Sequence, residues 1–268
     1  MKIFAIRDDN DISNKDLAYL VCYEKENRFY IEIPEGIDEW EAPLLISSFV
    51  ERGIKRLDAY WSKLWVKERV IPSDRQNLGD ILKDNNMEFY NEYQLLVLAK
   101  GRCAQDDYYI HPISENELPY ELKIRMDIKV DAVVPLGEHK LLVFFKNGKV
   151  KKCDLKEKLK ESSFIPIRVK ENFESVKVDT GGYGICWGEN IVISNEYLYE
   201  IGEEVPLSKA DFEMFVKNNV VNSAEATVLL SCSRQNINDL LKRGKLKPVK
   251  STLKNHLFLK SDIIKRNW

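Results

Sequence analysis

Arg234, Gln235, Asn236 and Asn238 crowd into five consecutive positions near the C-terminal end of a 268-residue chain. The guanidinium fork of arginine matches O6 and N7 of guanine, and the amides of glutamine and asparagine match N6 and N7 of adenine. The cluster therefore holds the side-chain types that read base edges in a DNA major groove. Its surroundings are cationic. Ser233 to Trp268 contain ten Lys/Arg against Asp239 and Asp262, a local charge of about +8, although the whole chain carries a formal −2. Residues 1–232 are thus left at about −10. Such an excess is the footprint of phosphate contact, but also of a plain solvated tail, and the surrounding pattern separates the two.

The elements that must hold this cluster are legible around it. Ala226, Val228, Leu229 and Leu230 form the apolar stripe of a short helix that Asn222 or Ser223 caps. Ser231-Cys232-Ser233 makes a tight turn. Ser233 then caps a second helix whose inward positions are Ile237, Leu240 and Leu241, and which ends in Lys242-Arg243 before Gly244. Beyond it, Leu246–Lys250 and Leu257–Lys260 read as two short strands about a polar turn, with Lys247, Lys250 and Lys254 projecting toward phosphates. Ser261-Asp262 is expected to cap a last helix, Ile263 to Trp268.

Glu225-Ala226, Ser233-Arg234, Ile237, Leu240, Gly244, Leu246, Phe258 and Asp262 together resemble the winged helix-turn-helix of the MerR/excisionase type, over about 48 residues. The resemblance implies duplex DNA as partner. The expected contact set is Ser233, Arg234, Gln235, Asn236, Asn238, Lys242, Arg243, Lys247, Lys250 and Lys254. One departure is Ser231, which stands where that family's turn usually has glycine, so the turn must accept a side chain. Full MerR regulators dimerise through a long helix after the wing. With the sequence running to Trp268, a homodimer is expected to pair upstream, through the Trp61/Trp65 stripe, a helix bearing Phe212 and Phe215, or the sheet edges of the middle segment.

A sharper chemistry is suggested by Cys103, Asp106, Asp107 and His111, the residue types of nucleophilic catalysis. All four fall within nine residues, and one helix or strand does not converge them. The expectation is instead a loop entering a strand at Tyr108–His111, with Arg102 pairing an aspartate. The five cysteines are scattered with no C-x-x-C, and the three histidines lie far apart, so neither a disulfide framework nor a metal site is expected. No phosphate-loop, nucleophile-elbow or zinc-protease motif occurs. No catalytic residue and no cofactor is assigned, and the expected protein is not an enzyme.

The middle of the chain is β-rich. Asn147-Gly148 marks a hairpin joining Leu141–Lys146 to Lys149–Asp154, and Gly181-Gly182 a second turn between Val176–Asp179 and Gly184–Trp187. A short amphipathic helix is expected over Lys156–Phe164, and another turn of helix over Ser194–Tyr199. Asp154, Asp179 and Trp187 are the residues here able to line a groove; more simply, Asp154 caps a helix and Trp187 is core. Pro135-Leu136, Leu141–Phe145, Asn147-Gly148, Asp154-Leu155, Phe173, Val176–Asp179, Gly182, Trp187, Ile191 and Leu198-Tyr199 resemble the family of unknown function 2442, over about 75 residues. That family implies a small α/β module and no chemistry.

Toward the N-terminus, Met1–Ile6, Ala18–Tyr23 and Arg28–Ile33 read as strands. Helices are expected over Glu41–Glu51, with Pro43 in its first turn, over a segment holding Leu57, Trp61, Leu64 and Trp65, over Arg75–Lys83 capped by Ser73 or Asp74, and over Tyr90–Lys100. The tryptophan stripe is expected to face the core. No apolar run reaches the 18 residues of a membrane span, and Arg7, Asp8 and Asp9 interrupt any signal-peptide core, so a cytoplasmic, bacterial-type protein is expected.

The expected architecture is α+β and multidomain: a mixed α/β domain over 1–121, a small β-rich module over 122–205, and a winged helix-turn-helix over 206–268. The expected function is DNA binding, as a transcriptional regulator or recombination accessory factor. The alternative is a protein-interaction adaptor, antitoxin-like or phage-associated, whose basic end meets an acidic partner.

Overall fold

The computed structural model describes residues 1–188, 190–252 and 255–264; Lys254 and the residues from 265 to Trp268 lie outside that set. The fold is mixed α+β, with several small sheets and short helices. Two compact units form: Met1–Asn147 with Lys151–Glu203, and Gly148–Val150 with Glu204–Trp268.

In the first unit, strands β1 (Lys2–Asp8), β2 (Ala18–Tyr23), β3 (Arg28–Glu32), β4 (Arg56–Leu57) and β5 (Tyr108–Ile113) form an antiparallel sheet in the order β4-β3-β2-β1-β5. Side chains alternate across a strand, so Phe4 and Ile6 face one way and Ile3 and Ala5 the other. The first face is covered by α1 (Leu44–Glu51), α2 (Ala59–Lys67) and, beyond α3 (Leu78–Asp84), which is at most half-buried, by α4 (Glu92–Leu98), through Ile46, Trp65, Val66, Leu95 and Leu96. The second face packs Tyr19 and Val21 on Leu122 and Met126 of α5 (Tyr120–Asp127). With both faces dry, β2 reads as the unbroken apolar run Ala-Tyr-Leu-Val-Cys-Tyr.

Several boundaries differ from expectation. Pro43 is the N-cap of α1 instead of a first-turn residue. The Arg75 N–H is used by the Pro72 carbonyl at 3.2 Å, and the Arg75 side chain donates to Asn77. That local turn delays α3 to Leu78, with Asn77 in place of Ser73 or Asp74 as its N-cap. Trp65 is fully buried as the stripe requires, whereas Trp61 is 38% exposed, lying edge-on to Phe49 and Tyr60.

The outer edge of β5 is closed from within. The Tyr108 N–H goes to Asp106 Oδ1 at 3.2 Å, the Ile110 N–H to the Lys100 carbonyl at 2.9 Å, and Pro112 has no N–H to offer.

Later in this unit, β6 (Val130–Pro135), β7 (Lys140–Phe145) and β8 (Val150–Asp154) are neighbours in the order β8-β7-β6. The segment expected as one amphipathic helix forms two 3₁₀ turns, Lys158–Lys160 and Ser162–Arg168, the second containing Pro166; they bury Leu159, Phe164 and Ile167. The short α6 (Lys170–Glu174) follows. Strands β9 (Lys177–Val178), β10 (Gly184–Trp187) and β11 (Ile191–Ser194) form a second small antiparallel sheet. Ser194 caps α7 (Asn195–Ile201) by accepting the Tyr197 N–H. The expected double-glycine turn is present: Gly181 and Gly182 have φ of +71° and +78°. A Cβ on Gly182 would lie 2.4 Å from the Val130 carbonyl oxygen, so no other residue fits that turn without a shift.

The second unit holds β12 (Glu203–Val205) and α8 (Lys209–Asn219), whose N-terminus is closed by a Ser208/Asp211 capping box. Then come β13 (Val220–Asn222), α9 (Ser223–Leu229), α10 (Arg234–Lys242), β14 (Lys250–Ser251), β15 (His256–Leu259) and α11 (Lys260–Ile264). The two expected strands are joined by a third, β13, which places β15 at the centre of a β13-β15-β14 sheet. Of the strand expected over Leu246–Lys250, only its end engages β15, Lys250 opposite Leu257 and the Val249 N–H on the Leu257 carbonyl at 2.8 Å, while Leu246 turns inward to join Val221, Ala226, Ile237, Phe258 and Ile263 in the core. The helix at the end starts at Lys260, earlier than expected.

Candidate functional sites

The amide-rich cluster lies on α10. Asn222 caps α9 through the N–H groups of Ala224 and Glu225, and Glu225 returns a bond to the Asn222 N–H at 2.7 Å. Residues 230–233 separate the helices, with Ser231 at φ +49°, the left-handed region that a glycine would adopt at no steric cost. Ser233 Oγ accepts from the Asn236 N–H at 3.2 Å, so its hydroxyl is engaged in capping α10.

Ile237, Leu240 and Leu241 turn α10 onto the core. At about 100° per residue, Arg234, Gln235, Asn238 and Lys242 fall within one arc of about 100° away from that contact. All four are exposed. Asn236 and Arg243 are exposed too, but lie more than about 100° round from Asn238, so α10 does not gather all the expected residues on one face. Lys247 and Lys250 are exposed on the segment after the helix, and Lys254 falls outside the described residues.

In the first unit, the Cys103–His111 segment behaves as a structural loop. Arg102 forms a bidentate pair with Asp9, at 2.8 and 2.9 Å, as its expected aspartate partner. Asp106 pairs with Arg69, and Cys103 Sγ lies 3.5 Å from the same carboxylate. His111 stands opposite Ala5 in the β1–β5 ladder. In the middle segment Asp154 accepts the Lys156 N–H at 3.0 Å, and Trp187 is buried with its indole N–H on the Phe173 carbonyl at 2.9 Å.

Sequence reasoning missed a buried charged cluster where β3 and α5 meet the segment after Lys129. Glu32 is 1% exposed and lies between two guanidiniums, Arg125 at 3.2 Å and Arg56 at 3.9 Å. Arg125 also donates to the carbonyls of Ile33 and Lys55, at 2.6 Å each. Arg56 continues to Glu196 and, at 3.1 Å, to the amide oxygen of fully buried Asn195, whose NH₂ reaches the Ile128 carbonyl. Above them Tyr30 and Tyr183 stack with centroids 3.7 Å apart, and Tyr30 donates to Asp179 at 3.1 Å. Asp179 is therefore committed to holding Tyr30.

Lys129, 1% exposed, lies with Nζ 3.8 Å from the Tyr183 ring centroid. Burial pushes its ammonium from the ordinary 10.5 down to about 7, against the opposing pull of Glu32. Burial likewise raises the Glu32 carboxyl, which Arg56 and Arg125 resist, and raises the Tyr183 phenol. The available sign was Glu32 inside the apolar run Phe29–Ile33, since an isolated acid in a strand buried on both faces requires cationic partners.

This cluster ties the first sheet to a segment of recognisable kind. Residues 130–204 match the family described as protein of unknown function DUF2442. The match spans the strands and helices from β6 through α7 and takes in Asp179, Tyr183, Asn195 and Glu196, with Lys129 one residue before it. No curated protein and no solved structure matches the chain. Among the described residues no helix is long and apolar enough to cross a membrane, and no group of three or more His, Cys, Asp or Glu is arranged to hold a metal ion.

Proposed function

We propose that the C-terminal segment is a winged helix-turn-helix of the MerR/excisionase type and that the protein binds duplex DNA through it, as a transcriptional regulator or recombination accessory factor. One observation carries the reading: α10 follows α9 after four intervening residues, Leu230 to Ser233, and turns Arg234, Gln235, Asn238 and Lys242 outward on one face. Those side chains suit guanine and adenine edges, and the N-terminal part of a recognition helix is where such contacts are made. The β14–β15 hairpin, with Lys250 in β14 and Lys247 just before it, supports a phosphate-contacting wing. On this reading Asn236 and Arg243 lie to the side and contribute through phosphates at most.

Selection of binding sequences from random duplexes, followed by titration of the selected site and a scrambled one, tests the proposal. Arg234→Ala, Gln235→Ala and Asn238→Ala should each cost about 1–3 kcal/mol on the selected site and little on the scrambled one. Equal losses on both would remove base reading. No binding to either at low salt would remove DNA altogether.

A second reading, a protein-interaction adaptor, draws on α8. No residue of that helix is buried, and Met214 and Phe215 are 58% and 48% exposed. Exposed apolar surface of that kind suits a protein contact.

A further inference from the structure

The first unit carries a groove of about 570 Å³ beside the outer edge of β5, within the size range of small-molecule sites. One wall is apolar and aromatic. Phe4 and Tyr93 pack with ring centroids 6.4 Å apart and planes tilted by 54°, and Val97 of α4 extends that wall. Tyr109, Ile110 and Pro112 of β5 add to the apolar lining, and Lys2, Lys100, Arg102 and His111 supply basic side chains. Among the described residues no carboxylate lines it, although residues 1–232 together carry about −10. Cationic lining is therefore concentrated here against the net negative charge of residues 1–232.

The backbone at the rim is strained. Lys100 adopts φ +52°, a conformation that costs a non-glycine residue roughly 1 kcal/mol or more. The next residue, Gly101, at φ +68°, passes so close to Ile110 that a Cβ would sit 2.7 Å from its Cγ2. The Lys100 carbonyl receives the Ile110 N–H, which fixes the strained residue against the strand. A lysine held where glycine or asparagine is easier, at the mouth of a groove, points to use of its side chain.

We propose that this groove binds a small anion bearing an aromatic ring, of mononucleotide size, with the ring against Tyr93 and Phe4 and the anionic group toward Lys2 and Lys100. Arg102 is already neutralised by Asp9 and serves mainly to shape the rim. The site lies wholly in the first unit and does not depend on the DNA-binding reading.

Calorimetric titration of the full chain with adenosine monophosphate, adenosine and inorganic phosphate as separate probes tests it. The monophosphate should bind with a dissociation constant below about 1 mM, and adenosine and phosphate at least about tenfold more weakly. The double variant Lys2→Gln/Lys100→Gly removes both ammonium groups, and glycine fits φ +52° without strain. It should weaken the monophosphate at least about tenfold while the melting temperature stays within a few degrees. Monophosphate binding left intact in that variant, whatever the melting temperature does, overturns the proposal. Absence of monophosphate binding at about 5 mM, or phosphate binding as tightly as the nucleotide, overturns it as well.

Discussion

Replacing Lys129 by methionine isolates one buried proton equilibrium. In the folded protein the Lys129 ammonium titrates near 7, whereas in the unfolded chain it keeps the ordinary 10.5. Between those values the unfolded chain binds more protons than the folded one, so stability rises with pH. The slope from this group approaches about 1.36 kcal/mol per pH unit, and the full interval sets an upper bound of about 5 kcal/mol. Below pH 7 both states are protonated and the slope vanishes. Buried Cys22 and Cys153, whose thiols burial pushes upward, reverse the trend once thiols ionise in the unfolded chain, so the clean interval is about pH 7.5 to 8.5. Methionine fills a similar volume beside Tyr183 and has no proton to exchange. The charged groups that act on Lys129 stay in both proteins: Glu32, Lys146, Arg56 and Glu115. Urea melts at pH 7.5, 8.0 and 8.5 should therefore show the wild type gaining roughly 1 kcal/mol more than Lys129→Met across the interval. Stability curves that run parallel would show that Lys129 is protonated in the folded state throughout, refuting the linkage.

Three further outcomes follow from packing. Glu32→Ala leaves Arg56 and Arg125 facing each other across a buried gap, and should destabilise the protein by about 3–5 kcal/mol in urea melts. Gly182→Ala, at φ +78° and with its Cβ 2.4 Å from the Val130 oxygen, should cost at least about 2 kcal/mol by the same measurement. At Ser231, with φ +49°, glycine should be neutral or stabilising by up to about 1 kcal/mol, whereas valine should cost about 1–2 kcal/mol. A valine variant as stable as wild type by thermal melting would mean that the turn is not held in the left-handed region.

What was legible in the sequence is what local chemistry decides. Asn222 and Ser233 announce their helices because a short polar side chain before an apolar stripe satisfies orphan N–H groups. Gly181-Gly182 announces its turn because both residues sit at positive φ. The apolar order of residues 130–204 sufficed for the DUF2442 resemblance. Illegible features depend on partners distant in sequence. Val220–Asn222 became a strand by pairing with Leu257–Leu259, and Trp61 remained half outside because the sheet and α4 claim the other side of α2. The Glu32 cluster required β3, β4, α5 and α7 to meet, and no window of a few residues contains that meeting. Of the expected contact residues, the spacing of Arg234, Gln235 and Asn238 on one helix was readable, while the divergence of Asn236 and Arg243 needed the core-facing side of α10 to be known.

A sheet edge whose donors are all spent has a consequence for self-association. A foreign strand approaching Tyr108–Ile113 meets carbonyl acceptors but no N–H group free to answer, so it is offered only half a ladder. Growth of the five-stranded sheet from molecule to molecule is blocked on that side by two hydrogen bonds and one imino acid. Any assembly formed there must draw more on side chains than a full main-chain ladder would. It would therefore yield to single substitutions, where a main-chain ladder would not, and Pro112→Ala would return one N–H to that edge while leaving the Tyr108 and Ile110 bonds in place.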